Sequence, residues 1–119
     1  MSDIDEFIAA RKEANAAVLR QDHLGIKRFF ALDEAAYRDG PLSGRVKELL
    51  GLAASLVLRC NDCVDYHLVQ CLKAGWSEAE IVDALDVGLV VGGSIVIPHL
   101  RHAVTTLEQL RGRADLQLG

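Results

Sequence analysis

Apolar residues in this chain recur at spacings of three and four, and no persistent two-residue alternation occurs anywhere. A sheet buried on one face needs that alternation, so the pattern points to an all-α fold. One hundred and nineteen residues suit a single domain spanning 1–119, with a modest core. Breaks between the periodic segments divide it into a bundle of about six helices.

The first helix is expected over Asp3 to Arg20, rich in alanine and weakly amphipathic. A second covers Leu24 to Tyr37 and would place Ile26, Phe29, Phe30 and Leu32 near the core. Gly40-Pro41 is the clearest break in the chain. Ser43 is the expected cap of a third helix with Val46, Leu49, Leu50, Ala53, Leu56 and Val57 on its apolar face. The fourth runs from Asn61 to Ala74 and stops at Gly75. Ser77 and Glu80 form a capping box that opens a fifth, which reaches Gly92-Gly93. In the last helix Leu100, Ala103, Val104, Leu107 and Leu110 repeat at threes and fours.

After Asp86 the fifth helix reads Val87-Gly88-Leu89-Val90-Val91, apolar all round. So short a chain has little interior to surround such a helix, which favours a subunit interface and a homo-oligomer. The alternative is a central helix covered by its five neighbours.

Composition excludes several classes. Thirteen Lys and Arg against seventeen Asp and Glu give a formal charge of −4 with no basic stripe, which argues against nucleic acid. The first residues, Met1-Ser2-Asp3-Ile4-Asp5-Glu6, have neither the basic nor the apolar region of a signal peptide. Val87 to Leu100, the longest stretch free of charged side chains, is too short to span a bilayer. A cytoplasmic protein without a membrane partner is expected. Three cysteines would be reduced there, so a close pair reads as catalytic or metal-binding.

That pair lies in Cys60-Asn61-Asp62-Cys63-Val64-Asp65-Tyr66-His67. Cys63 and His67, four apart, share a helix face where an imidazole can exchange a proton with a thiol. Cys60 sits at or just before the helix start, within disulfide reach. The unpaired N–H groups and positive dipole end of the helix favour a thiolate. Peroxide reduction requires this combination, a thiolate to attack the O–O bond and a second thiol to resolve the sulfenic acid.

Glu48 is the only acid between Asp39 and Asp62. If the third and fourth helices pair antiparallel, Glu48 and His67 lie roughly 16 and 9 Å back from the turn. A glutamate side chain and one water would close the gap, completing a Glu–His–Cys relay. Equally, Glu48 could be a solvated first-turn residue complementing the helix dipole.

Glu48, Cys60 twelve residues on, then Cys63 and His67, resembles the active-site pattern of the AhpD-like alkylhydroperoxidases of the carboxymuconolactone decarboxylase family. The similarity covers about Leu42 to Leu110. It implies an all-α fold assembled as trimers or hexamers, acting on a hydroperoxide substrate with a dithiol or lipoyl-type reducing partner and no cofactor. It also implies that Cys63 attacks the peroxide, Cys60 resolves it, and His67 with Glu48 forms the proton relay. Asp62 departs from the pattern, because the best-characterised members carry a histidine immediately before the second cysteine. A carboxylate there should raise the thiol pKa by like-charge repulsion.

Other readings compete. Cys60, Cys63 and His67 could hold zinc, but Cys71 cannot join them, being roughly 12 Å from Cys63 along a helix. Cys71 reads as a small buried hydrophobe. His99 and His102 read as structural or interface residues, Trp76 as a packing anchor, and Tyr66 as a pocket or packing residue; His23 sits in a turn with no functional assignment. Lactone decarboxylation has no use for two thiols. A non-enzymatic redox switch or assembly module does.

Overall fold

A computed structural model describes residues 3–113. Among them are six α-helices: α1 (Asp3–Leu19), α2 (Leu24–Ala36), α3 (Gly44–Val57), α4 (Asn61–Lys73), α5 (Glu78–Gly92) and α6 (Ile97–Leu110), with one 3-10 turn (Ser94–Val96) before α6. None is long and apolar enough to cross a membrane.

Local chemistry sets the boundaries. Ser43 caps α3 by accepting from Val46 N–H, and Cys60 caps α4 in the same way with its sulfur. The capping box is present, Ser77 and Glu80 each satisfying the other's backbone N–H. Gly75, at φ +91°, takes the left-handed conformation that ends α4. His23 caps α2 through Ile26 N–H, a role the sequence did not suggest.

The α3–α4 hairpin is the centre of the molecule. Its antiparallel course is fixed at the open end, where Arg45 donates to the Ala74 carbonyl at 2.9 Å and stacks 3.4 Å over the Trp76 ring. Trp76 in turn donates to the Arg45 carbonyl at 2.8 Å, so it anchors the hairpin as expected. α5 packs on α3, α6 on α4, and α1 on α6. Leu52 and Leu56 of α3 meet Val64, Leu68 and Val69 of α4, with Ile81, Leu85, Ala103 and Leu107 closing the core. Each Val, Leu or Ile side chain among them contributes about 1.5–3 kcal/mol on burial.

Four expected core positions are exposed instead. No residue of α2 is buried, and Phe29 and Leu32 are 65 % and 68 % exposed. Leu50 and Val104 also face outward, while Leu52 and Thr106 take the buried places. In α3 the expected Leu56 is buried, and Leu52 takes the place expected of Leu50. In α2 it faces away from the chain's own core. On α5, Val87, Val90 and Val91 are exposed, so that helix is not wrapped by its five neighbours.

Candidate active site at the start of α4

The turn Leu58-Arg59-Cys60 joins α3 to α4, with Arg59 at φ +61°. Cys60 is the N-cap residue and Cys63 lies in the first helical turn. Their Cα atoms are 5.3 Å apart and their sulfurs form a disulfide. The Cys60 sulfur also accepts from Cys63 N–H at 3.2 Å. Cys63 is exposed and Cys60 half-buried. Cys63 is thus the more open residue of the pair.

One turn further along α4, His67 is buried, and its Nδ1 lies 2.9 Å from Glu48 Oε2. The contact is direct, without the water that helix rise alone suggested. The reason is Gly51 of α3: a Cβ there would meet His67 Cε1 at 2.6 Å, so only a glycine lets the ring lie so close to α3. The Glu48 side chain is 14 % exposed, which removes the solvated first-turn reading.

Tyr37, the C-cap of α2, brings its hydroxyl to 3.3 Å from His67 Nε2. Burial, and then the charge of Glu48, push this phenol's pKa above its ordinary value. Both ring nitrogens of His67 therefore face oxygens, and the two sulfurs are bonded to each other. This arrangement gives the zinc alternative no support.

A cavity of about 240 Å³ opens at Cys63, lined by Phe7 and Arg11 of α1 and by Asp62 and Tyr66 of α4. The Arg11 guanidinium stacks 4.1 Å over the Tyr66 ring. Asp62 is therefore not the only charge at the thiol's approach, since a cation lines the same cavity. A larger groove of about 500 Å³ along α5, lined by Ala79, Glu80, Val82, Asp83 and Asp86, holds no nucleophilic side chain.

The remaining candidates serve the scaffold. Cys71 is fully buried, and desolvation pushes its thiol up to about 12. His99 Nδ1 meets Asn61 Oδ1 at 2.9 Å. His102 Nε2 meets both oxygens of the buried Asp65, which also accepts from the Thr106 hydroxyl at 2.7 Å. These contacts tie α4 to α6.

Residues 26–106 match the carboxymuconolactone decarboxylase family. The chain belongs to that family. Within the family's fold, it superposes on a Thermotoga maritima protein with a TM-score of 0.86 and 59 % identity, covering 89 % of this chain and 93 % of that one. A second structure from that organism gives 0.84 at 59 % identity over 89 % and 90 %; it is described as a family protein with a suggested part in the antioxidative response. A Legionella pneumophila family protein shares the fold at 0.83, with 20 % identity over 92 % and 97 %. In sequence, the uncharacterized protein 4 of the Paracoccus denitrificans cox locus is 26 % identical over 84 residues, 71 % of this chain and 76 % of its own. The family match takes in the hairpin, Tyr37 and the dithiol but not α1, which supplies two walls of the Cys63 cavity.

Sequence reasoning named Glu48, Cys60, Cys63 and His67, and all four lie on the facing sides and the connecting end of one hairpin. It missed Tyr37, which lies thirty residues from His67 and follows no common spacing. It also passed over Gly51, although a glycine inside a helix is itself a signal of close approach.

Proposed function

We propose that this protein reduces organic hydroperoxides through a dithiol–disulfide cycle at Cys60 and Cys63. The observation that carries the reading is the disulfide at the start of a helix whose next turn holds a buried, carboxylate-paired histidine. The suggested antioxidative part of the Thermotoga maritima relative supports it.

In the reduced protein His67 takes the proton of Cys63, and the helix N-terminus favours the resulting thiolate. That sulfur attacks the terminal peroxide oxygen. The O–O bond breaks, the leaving alkoxide takes from His67 the proton that Cys63 gave up and becomes the alcohol, and Cys63 is left as a sulfenic acid. The Cys60 thiol then attacks the Cys63 sulfur, forming the disulfide and releasing water. A dithiol or lipoyl-type partner returns the protein to the start by supplying two electrons and two protons. Glu48 holds Nδ1–H of His67, so that Nε2 is the basic atom.

The assembly belongs to the same reading. Val87, Val90 and Val91 at the end of α5, and Ile95 in the turn after it, are exposed apolar residues that a second copy of the chain would cover in a trimer or hexamer.

Steady-state turnover of tert-butyl hydroperoxide with a dithiol donor tests the function. Turnover that disappears in both Cys63→Ser and Cys60→Ser is expected. Disulfide formation without sustained turnover would leave a redox switch in place of an enzyme.

A further inference from the structure

α1 lies wholly outside the family match, and the dithiol reaction above makes no use of it. Its first turn is fastened to α6: Ile4 is buried and its N–H donates to Gln109 Oε1 at 3.0 Å, while Asp5 pairs at 2.9 Å with Arg113, just past α6. Phe7 and Arg11 follow, four residues apart and so on one face of α1. With Asp62, Cys63 and Tyr66 of α4 they enclose the cavity of about 240 Å³. Tyr66 is steadied by two neighbours, the Arg11 guanidinium 4.1 Å over its ring and the His67 ring edge-on at 5.0 Å.

We infer that α1 is the specificity element of the dithiol site, Phe7 and Arg11 shaping the Cys63 cavity for a compact, uncharged aryl hydroperoxide. This deepens the dithiol reaction proposed above and rests on it. Size is the first argument. Pockets for small molecules commonly run from about 300 to 1,000 Å³, so about 240 Å³ suits a single ring better than a long acyl chain. Surface is the second, because Phe7 and Tyr66 offer two aromatic rings for a third to pack against. Charge is the third. The lining carries one cation, Arg11, and one anion, Asp62, which offset each other for an incoming ligand. Burial, and then the charge of Glu48, push the Tyr66 phenol above its ordinary value, so that ring adds no charge.

With the aryl ring lodged between Phe7 and Tyr66, the terminal peroxide oxygen meets the Cys63 thiolate. The O–O bond breaks, that oxygen stays on sulfur as the sulfenic acid, and the aryl-bearing oxygen takes the proton from His67 and leaves as the alcohol. The walls belong to α1 and Tyr66, so opening the S–S bond leaves them in place. Hydrogen peroxide has about the bulk of two waters, each with a share of about 30 Å³. It fills little of the cavity and gains nothing from either ring.

The test is the ratio of kcat/KM for cumene hydroperoxide to that for hydrogen peroxide, measured with one dithiol donor. In the parent the ratio should be at least roughly 10-fold, the smallest discrimination an apolar pocket gives per added carbon. Phe7→Ala removes one aromatic wall and should lower the ratio roughly 10-fold or more. Phe7 also packs on the core, so Phe7→Trp is the second variant; it keeps an aromatic there but narrows the cavity, and should lower the ratio as well. General damage to the dithiol slows both peroxides alike and leaves the ratio at the parental value. A parental ratio in either variant overturns the inference, and so does a linoleic acid hydroperoxide turned over as well as cumene hydroperoxide. A parent that consumes cumene hydroperoxide and hydrogen peroxide equally overturns it too, with the dithiol reaction left standing. A parent that consumes neither overturns the dithiol reaction, and the inference with it.

Discussion

A methyl group on Gly51 would sit 2.6 Å from Cε1 of the His67 ring, closer than side chains approach one another. Alanine is favoured over glycine in an isolated helix by about 1 kcal/mol, yet here it must displace the imidazole. Gly51→Ala should keep its helix content and slow Cys63 oxidation roughly 10- to 100-fold, since small misplacements of a reacting group cost that much. Rapid-mixing kinetics with circular dichroism check it. A parental rate would mean that the ring's position does not matter.

Glu48 and His67 should act as one unit. His67→Ala is expected to slow peroxide reduction by roughly 100- to 10,000-fold, the range for loss of a general base. Glu48→Gln should cost less, because it acts through the ring. The double variant should lose little beyond His67→Ala alone. Losses that multiply independently would place Glu48 outside the relay.

Asp65 is a buried carboxylate whose oxygens serve His102 and Thr106 of α6. Asp65→Ala strands the buried Thr106 hydroxyl, while the part-exposed His102 turns to water, and should destabilise the protein by roughly 1–3 kcal/mol. Thr106→Val, which removes one bond, should cost about 1 kcal/mol. Urea unfolding reads both, and the smaller change should leave the rate of disulfide formation untouched. Equal midpoints for parent and Asp65→Ala would show that the α4–α6 tie contributes nothing.

Alkaline stability follows from Cys71. Desolvation, with Glu48's charge adding to it, pushes the folded thiol up to about 12, while an unfolded cysteine ionises near about 8.5. Between those values the unfolded chain binds fewer protons than the folded one, so stability falls as pH rises through that window. Tyr37 and Tyr66, both raised by burial, add to the same slope above about pH 10. Cys71→Ala should flatten the lower part of the curve in urea titrations. An unchanged slope would show that Cys71 is not the source. In the folded protein near neutrality, Cys71 should resist alkylation while Cys60 and Cys63 react after reduction.

Val90 is 76 % exposed on the single chain, so Val90→Asp should not unfold it by burying a charge within the subunit. Placed in an apolar contact between copies, the same carboxylate costs several kcal/mol. Sedimentation at micromolar concentration should therefore show the parent as an oligomer and Val90→Asp as a lighter species. A parent that stays at 12.9 kDa across dilution and concentration would contradict the assembly.

Local rules carried most of the fold. Ser43, Gly75 and the Ser77–Glu80 box end or begin helices for reasons confined to a few residues, and their positions were readable. The grouping of Glu48, Cys60, Cys63 and His67 was readable as well, because the two cysteines lie one turn apart and the others face each other across a single hairpin. Tyr37 and Asp65 were not. Each acquires its partner from a helix tens of residues away, and no periodicity links Tyr37 to His67 or Asp65 to His102. Phe29 and Leu32 misled for a related reason: periodicity reports an apolar face, not what the face rests against.

α2 buries no residue of its own, yet it ends at Tyr37, which touches the histidine of the dithiol site. A helix so lightly anchored opens at little free-energy cost unless something beyond its own chain rests on Phe29 and Leu32. The side of the candidate site that α2 supplies is thus its least secured part. In an assembly that also covered Phe29 and Leu32, reactivity at Cys63 would rise with protein concentration and fade on dilution while the α3–α4 hairpin stayed folded.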